Sequence, residues 1–118
     1  MALTKQQRQE LHSKYNGKCA YCGCDITLKE MQADHIKPIY RNWEDGEVNS
    51  DRRGIDDISN MNPSCAPCNR WKSVYTIEEF RKEISLQYER LLKISAGFRM
   101  IDRYGIISNK VEPVVFYF

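Results

Sequence analysis

Cys19-Ala20-Tyr21-Cys22 and Cys65-Ala66-Pro67-Cys68 are two Cys-x-x-Cys pairs, and Asp34-His35-Ile36-Lys37-Pro38 lies between them. Pairs with this spacing are typical of a four-cysteine zinc site, in which each pair forms one turn and supplies two thiolates. Gly23 follows the first pair and allows the left-handed turn that such a loop needs. We therefore predict one structural zinc, with Cys24 left as a free thiol. The alternative is four buried cysteines without a metal.

The composition is that of a soluble globular protein. Its 118 residues are 42% hydrophobic and 29% charged, with a net charge of +2. No apolar run could span a membrane, and the N-terminus has no apolar signal-peptide core, so we expect a cytoplasmic protein. An odd number of cysteines, five, argues against a disulfide framework. The length allows a single domain over residues 1–118.

The first half of the chain predicts one helix and two short strands. Thr4 and Gln7 form a capping box for a helix that runs to about Asn16. Weak alternation over residues 31–36 predicts a strand, and residues 58–61 predict a short returning strand. The strands and helices together indicate the α+β class.

The second half predicts two further helices. The first opens at Ser64 or Ala66. Thr76 begins a second capping box, followed by a long helix that Gly105 ends, with Ala96-Gly97 as the candidate position for a break or kink. The apolar stripe at helical spacing comprises Ile77, Phe80, Ile84, Tyr88, Leu91, Ile94, Phe98 and Ile101.

Charge is unevenly distributed along the chain. Residues 39–56 read as a long loop, which is uncommon unless functional, and the charged residues of 41–57 are mostly acidic. The charged residues of 90–118 are mostly basic, and this segment ends in Val114–Phe118, which reads as a strand or a docked tail. An acidic loop and a basic region could present one positive face to phosphates, although an ordinary solvated mixture of charges is the alternative.

Asp34 and His35 are candidates for chemistry that a closed four-ligand zinc site cannot perform. A neutral imidazole can accept a proton from water, and a neighbouring carboxylate can bind Mg²⁺. Asn60 and Asn69 offer amide oxygens as further hard ligands. Taken alone, an Asp-His pair is more often a surface feature. The other histidine, His12, has no partner nearby in sequence.

The helix after the second cysteine pair carries candidate phosphate ligands. Lys72 follows Asn69 by three residues, so both occupy one helix face. Arg70 and Lys72 could hold phosphates, with solvated charge as the alternative. We expect Trp71 to pack in the core or against the zinc site rather than to stack on a base.

The order of these motifs resembles the HNH endonuclease family in its four-cysteine zinc form. The resemblance covers about residues 18–72. It implies a zinc-stapled ββα-metal core flanked by an N-terminal helix and a longer C-terminal helical extension over about 76–118. The basic helix and aromatic tail are also similar to small HNH proteins of bacteriophages and prophages.

The resemblance also implies roles for individual residues. His35 would be the general base, and Asp34 would hold a catalytic cation. Asn60 would be the middle Asn, which sets the loop and orients the histidine, with Asn62 as a rival. Asn69 stands at a third signature position that is usually His, and as an oxygen ligand it favours Mg²⁺ or Mn²⁺.

The implied function is metal-dependent hydrolysis of DNA, with duplex DNA expected, as a nick or a double-strand cut. The candidate DNA-binding residues are Arg70, Lys72, Arg90, Lys93, Arg99 and Arg103. Two alternatives remain open: a non-catalytic zinc module that binds nucleic acid, and an accessory protein of a phage DNA-packaging complex that binds a terminase subunit. Asp34-His35 with both asparagines argues against the first, because binding alone needs none of them.

Overall fold

The computed structural model describes residues 2–40, 53–107 and 114–118. Two compact units emerge, Met1–Ile77 with Phe116–Phe118 and Glu78–Val115. Most of the long acidic loop expected over residues 39–56, from 41 to 52, lies outside the described residues. Within the described ranges, no helix is long and apolar enough to cross a membrane.

Helix α1 spans Lys5–Ser13 and begins with the predicted capping box. The Thr4 side chain accepts a hydrogen bond from the Gln7 N–H at 3.1 Å, and the Gln7 side chain accepts one from the Thr4 N–H at 3.0 Å. After the helix, the Gly17 N–H donates to the His12 carbonyl at 2.9 Å with a φ of 76°. The helix therefore ends slightly earlier than Asn16, and the glycine allows the left-handed turn that follows.

A hairpin and a helix form the ββα core of the first unit. Strand β1 (Gln32–His35) pairs antiparallel with β2 (Met61–Ser64), so that His35 lies opposite Met61. All four β2 residues are buried. Residues 58–60, predicted to begin this strand, instead form a 3₁₀ turn before it. Helix α2 (Ala66–Lys72) follows β2 and contacts β1, which confirms the expected ββα order.

The C-terminal residues return to the first unit as a docked tail rather than a strand. The Tyr117 and Phe118 N–H groups donate to the carbonyls of Tyr21 and Ala20 at 3.0 and 2.8 Å. The rings of Phe116 and Phe118 meet the Tyr21 ring edge-on, with centroids 5.3 and 5.6 Å away. Aromatic pairs in this geometry stabilise beyond the area they bury.

Three short helices replace the predicted longer C-terminal helix. They are α3 (Ile77–Ser85), α4 (Gln87–Ile94) and α5 (Ala96–Arg103). Ser95 has extended backbone angles and its hydroxyl accepts from the Phe98 N–H at 3.1 Å, so it ends α4 and caps α5. A serine side chain can replace a helical hydrogen bond and so interrupt a helix. The spacing of apolar residues does not reveal such a break. Gly105, with a φ of 67°, follows the last helix as predicted.

Candidate metal centre and active site

The four cysteines of the two pairs come together into one cluster, as their spacing predicts. The sulfurs of Cys19, Cys22, Cys65 and Cys68 all lie within 4.8 Å of one another. The Cys22 and Cys65 sulfurs are 3.8 Å apart. Zinc–sulfur bonds of about 2.3 Å give tetrahedral sulfur–sulfur edges of about 3.8 Å. The cluster therefore fits one tetrahedral metal such as zinc.

The turns that carry these cysteines are built by local hydrogen bonds. The Gly23 N–H donates to the Cys19 carbonyl at 3.0 Å, and Gly23 has a φ of 77°. A Cβ at Gly23 would also lie 3.1 Å from the Tyr117 ring. In the second pair, Cys65 caps α2 and its sulfur accepts from the Cys68 N–H at 3.5 Å. Glycine at 23 is thus required by both conformation and space.

The thiols of the cluster share protons, as expected for crowded sulfurs. A hydrogen bond with Cys68 lowers the pKa of Cys19 to about 3. The same bond, with burial, raises the pKa of Cys68. A divalent metal would instead hold all four sulfurs as thiolates. Cys24, the spare cysteine, is exposed beside the cluster, and partial desolvation of its sulfur together with a hydrogen bond to Cys22 raises the pKa of its thiol to about 12.

Asp34 is the most enclosed member of the candidate site. Its side chain is only 4% exposed, and its Oδ2 accepts a hydrogen bond from the Tyr21 hydroxyl. The Lys72 ammonium lies 3.2 Å from Oδ2 and 3.5 Å from Oδ1, and it donates to the His35 carbonyl at 2.7 Å. Lys72 is 0% exposed. The predicted role of Lys72 as a phosphate ligand does not fit this interior position.

Burial and pairing act in opposite directions on these groups. Burial raises the pKa of Asp34, while the Lys72 charge and the Tyr21 hydroxyl stabilise the carboxylate. Burial lowers the pKa of Lys72, and Asp34 opposes that shift. Burial, with the Asp34 charge, raises the pKa of Tyr21. The phenol therefore stays protonated and remains a donor to the carboxylate.

His35 pairs with a carboxylate that no local sequence pattern indicates. Its Nε2 lies 2.9 Å from Asp56 Oδ1, and its side chain is 16% exposed. With Asp56 ionised, Nε2 carries the proton, and Nδ1 keeps the lone pair that can accept a proton from water. The two residues are 21 positions apart. That separation is why no local pattern could indicate the pair.

Asn60 holds together the segment that follows His35. Its side chain accepts from the Lys37 N–H at 3.0 Å and donates to the carbonyls of Lys37 and Ile55 at 2.9 and 2.8 Å. Its own carbonyl accepts from the Ile36 N–H at 2.8 Å. Glycine is required at position 54 beside these hydrogen bonds, since a Cβ there would lie 2.1 Å from the Lys37 carbonyl oxygen.

Asn62, the rival candidate, is fully buried and points elsewhere. Its Oδ1 accepts from the Lys14 ammonium at 3.0 Å, and the same ammonium donates to the Met61 carbonyl. Asn62 thus ties the end of α1 to β2. The contacts of Asn60, not those of Asn62, are the ones expected of a residue that sets the loop beside His35.

Residues on α2 divide between interior and surface. Asn69 is half-buried on this helix, which contacts the strand that carries Asp34. Arg70 is exposed, so its guanidinium is free to meet solvent or a ligand. Trp71 is 53% exposed, so the expectation that it packs in the core is wrong. His12 is structural, since its Nε2 lies 2.6 Å from the Ile26 carbonyl oxygen.

The basic residues predicted to bind DNA in the second unit differ in their contacts. Arg90 pairs with Glu83 at 2.7 Å. Arg99 donates to the carbonyls of Leu92 and Lys93 at 2.7 and 3.1 Å, and so closes the end of α4. Lys93 and Arg103 have exposed side chains. Lys110 lies outside the described residues.

Comparison with known proteins finds a family match over the same part of the chain. Residues 19–74 match the family model described as HNH endonuclease. The chain contains an HNH endonuclease domain. The matched residues include the four clustered cysteines, Asp34, His35, Asn60 and Asn69. They cover the turn at residues 19–23, called the zinc knuckle below, together with the β1–β2 hairpin and α2.

A curated relative carries the same family name. The chain is 34% identical over 94 residues to YoqL of Bacillus subtilis (strain 168), an SPbeta prophage-derived protein whose name describes it as an HNH endonuclease. The aligned residues make up 78% of this chain but 40% of YoqL. The chain thus spans less than half of the length of that relative. No solved structure matches the chain.

Proposed function

We propose that the chain is a metal-dependent endonuclease that hydrolyses phosphodiester bonds of duplex DNA, by a nick or a double-strand cut. The observation that carries this proposal is the placement of His35. Its Nε2 is bonded to Asp56 at 2.9 Å, while the preceding residue is a carboxylate with one weakly engaged oxygen. A candidate proton acceptor and a candidate metal ligand are thus consecutive residues of β1, within the part of the chain that matches the HNH family model.

His35 would act as the general base. Asp56 fixes the ring and its tautomer, which leaves Nδ1 to take a proton from the attacking water. As the imidazole gains positive charge, the carboxylate of Asp56 stabilises it. Asn60 keeps the backbone after His35 in place through its bonds to Lys37 and Ile55.

Two metals are implied, and the residues present suit both. The four clustered cysteines would hold a structural zinc, which fastens the knuckle to the start of α2. Asp34 and Asn69 would hold Mg²⁺ or Mn²⁺, since carboxylate and amide oxygens are ligands these ions prefer. When bound, that cation supplies charge neutralisation at the scissile phosphate and at the leaving oxygen. By family resemblance, the products would carry a 5′-phosphate and a 3′-hydroxyl.

Exposed basic side chains would bind the DNA backbone. Arg70 lies on α2 beside Asn69, and Lys93 and Arg103 are exposed in the second unit. Arg90 and Arg99 are weaker candidates, because each already bonds within its own unit. A phage terminase subunit stays a proposed further partner, tested by co-purification.

The test is cleavage of supercoiled plasmid in Mg²⁺ by the wild type and by His35→Ala. We expect the variant to keep its zinc, its fold and its DNA affinity while losing on the order of 10²-fold or more in rate, the usual scale for a positioned base. His12→Ala is the control. Because His12 bonds the Ile26 carbonyl, that variant should lose stability but retain its rate per folded molecule.

Equal rates for His35→Ala and the wild type would overturn the mechanism. A wild type that binds DNA and zinc but cuts no plasmid, linear duplex, single strand or RNA would favour the non-catalytic zinc module instead.

A further inference from the structure

Tyr21 touches both metal sites of the first unit. It lies between two zinc-site cysteines, and its N–H approaches the Cys19 sulfur at 3.4 Å. Its hydroxyl donates to Asp34 Oδ2. Tyr21 itself is 2% exposed. One buried residue thus contacts the cysteine cluster through its backbone N–H and the candidate ligand of the catalytic cation through its hydroxyl.

The two oxygens of Asp34 are engaged unequally. Oδ2 receives the Tyr21 hydroxyl and the closer contact of the Lys72 ammonium, at 3.2 Å. Among the described residues, the contact that Oδ1 makes is the longer one with Lys72, at 3.5 Å. A hydrogen bond at that distance is weak. Oδ1 is therefore the oxygen with lone pairs left for a cation.

A buried tyrosine hydroxyl needs a partner, but a backbone carbonyl would serve as well as a carboxylate. Tyr40 shows this ordinary solution, since its buried hydroxyl donates to the Val74 carbonyl at 3.2 Å. Tyr21 instead bonds an anion that Lys72 already pairs. Carboxylates that bind metals are held in this manner by hydrogen bonds to their second oxygen, and loss of such a partner typically weakens metal affinity by 10- to 100-fold.

We propose that Tyr21 is a positioning residue that holds Asp34 with Oδ1 presented to the divalent cation, and that it ties this ligand to the zinc knuckle. The proposal rests on the proposed function, because it takes Asp34 as a cation ligand. Lys72 is the second anchor of the same carboxylate. The side chain of Tyr21 does not touch substrate or cation in this role.

The experiment measures Mn²⁺ binding to the zinc-loaded full chain by the loss of the free-ion electron paramagnetic resonance signal. Tyr21→Phe removes only the hydroxyl and keeps the ring that packs on Phe116 and Phe118. We expect its Mn²⁺ affinity to fall about 10-fold, the lower end for such partners. Tyr40→Phe is the matched control, because it deletes another buried hydroxyl that donates to a carbonyl. Zinc content and circular dichroism should match the wild type in both.

A double-mutant comparison separates positioning from general loosening. Asp34→Ala alone should weaken Mn²⁺ binding more than Tyr21→Phe does. Adding Tyr21→Phe to Asp34→Ala should change the affinity no further, since Tyr21 acts through the carboxylate.

Two results would overturn the proposal in different ways. If Asp34→Ala weakens Mn²⁺ binding and Tyr21→Phe equals Tyr40→Phe, the positioning role is wrong and the cation site stands. If Asp34→Ala leaves Mn²⁺ binding unchanged, the cation site of the proposed function is itself wrong, and the role of Tyr21 falls with it.

Discussion

The pair of His35 and Asp56 gives the sharpest test of the proposed chemistry. Asp56→Asn keeps the size of the side chain but removes its charge. Before proton transfer, the 2.9 Å contact joins a neutral imidazole to a carboxylate; afterwards it joins an imidazolium to a carboxylate. The variant should therefore lose more stabilisation in the transition state than in the ground state.

The size of the loss follows from the strength and exposure of the bond. The imidazole bonds a carboxylate in both states, so the difference is the attraction that the imidazolium charge adds, about 4 kcal/mol for two unit charges about 4 Å apart near a protein surface. Asp56 is 34% exposed, so water screens part of the difference. A remaining difference of about 1–1.5 kcal/mol corresponds to about a tenfold lower kcat. KM should change little, because Asp56 acts through His35.

The assay is single-turnover nicking of supercoiled plasmid, with the substitution made in the wild type and in His35→Ala. Asp57→Asn is the control, since that neighbouring carboxylate caps the 3₁₀ turn by accepting from the Ser59 N–H at 2.9 Å. It should lower stability more than rate. If Asp56→Asn lowers the nicking rate by the same factor in the His35→Ala background as in the wild type, Asp56 does not act through the imidazole and the reasoning fails.

Three further predictions address the metals and the DNA surface. Metal analysis should find about one zinc per chain, and Cys65→Ala should be insoluble or partly unfolded because zinc-binding energy is folding energy; a well-folded wild type without zinc would contradict this. Cleavage should need Mg²⁺ or Mn²⁺ and stop reversibly with EDTA, and Asp34→Ala and Asn69→Ala should each lose most activity; full activity after thorough chelation would refute the ligand assignment. Lys93→Ala and Arg103→Ala should each weaken DNA binding by a similar factor for all sequences, and each should reduce the slope of log affinity against log salt concentration by about one. An unchanged slope would show that the side chain is solvated and does not contact a phosphate.

Local signals predicted the parts of the fold that depend on neighbours in sequence. Thr4 and Gln7 form reciprocal hydrogen bonds across one helical turn, and each Cys-x-x-Cys brings two sulfurs together within a single turn. Both features could therefore be predicted from a few neighbouring residues. The family pattern added the order of the two strands and α2. Asn60 was preferred to Asn62 on position alone, and its bonds to Lys37 explain why it suits the loop.

The sequence was least informative where residues far apart meet. Lys72 was read as a surface cation, yet it is buried against Asp34, 38 positions earlier. Asp56 was counted only as part of an acidic loop, although it bonds His35. In each case the decisive partner lies on another element, and residue type alone cannot show whether a charge is paired in the interior or solvated. The prediction of core packing for Trp71 is wrong because it rests on residue type, which does not show whether a large apolar side chain is covered.

The docked tail has a consequence for the growing chain. Residues 116–118 bond the backbone of Ala20 and Tyr21 and place two rings against Tyr21. Phe116 follows Tyr21 by 95 positions (116 − 21) in the chain. Until residues 116–118 leave the ribosome, Tyr21 lacks the two rings that pack against it. We therefore expect a nascent chain to bind the catalytic cation more weakly until residues 116–118 have emerged.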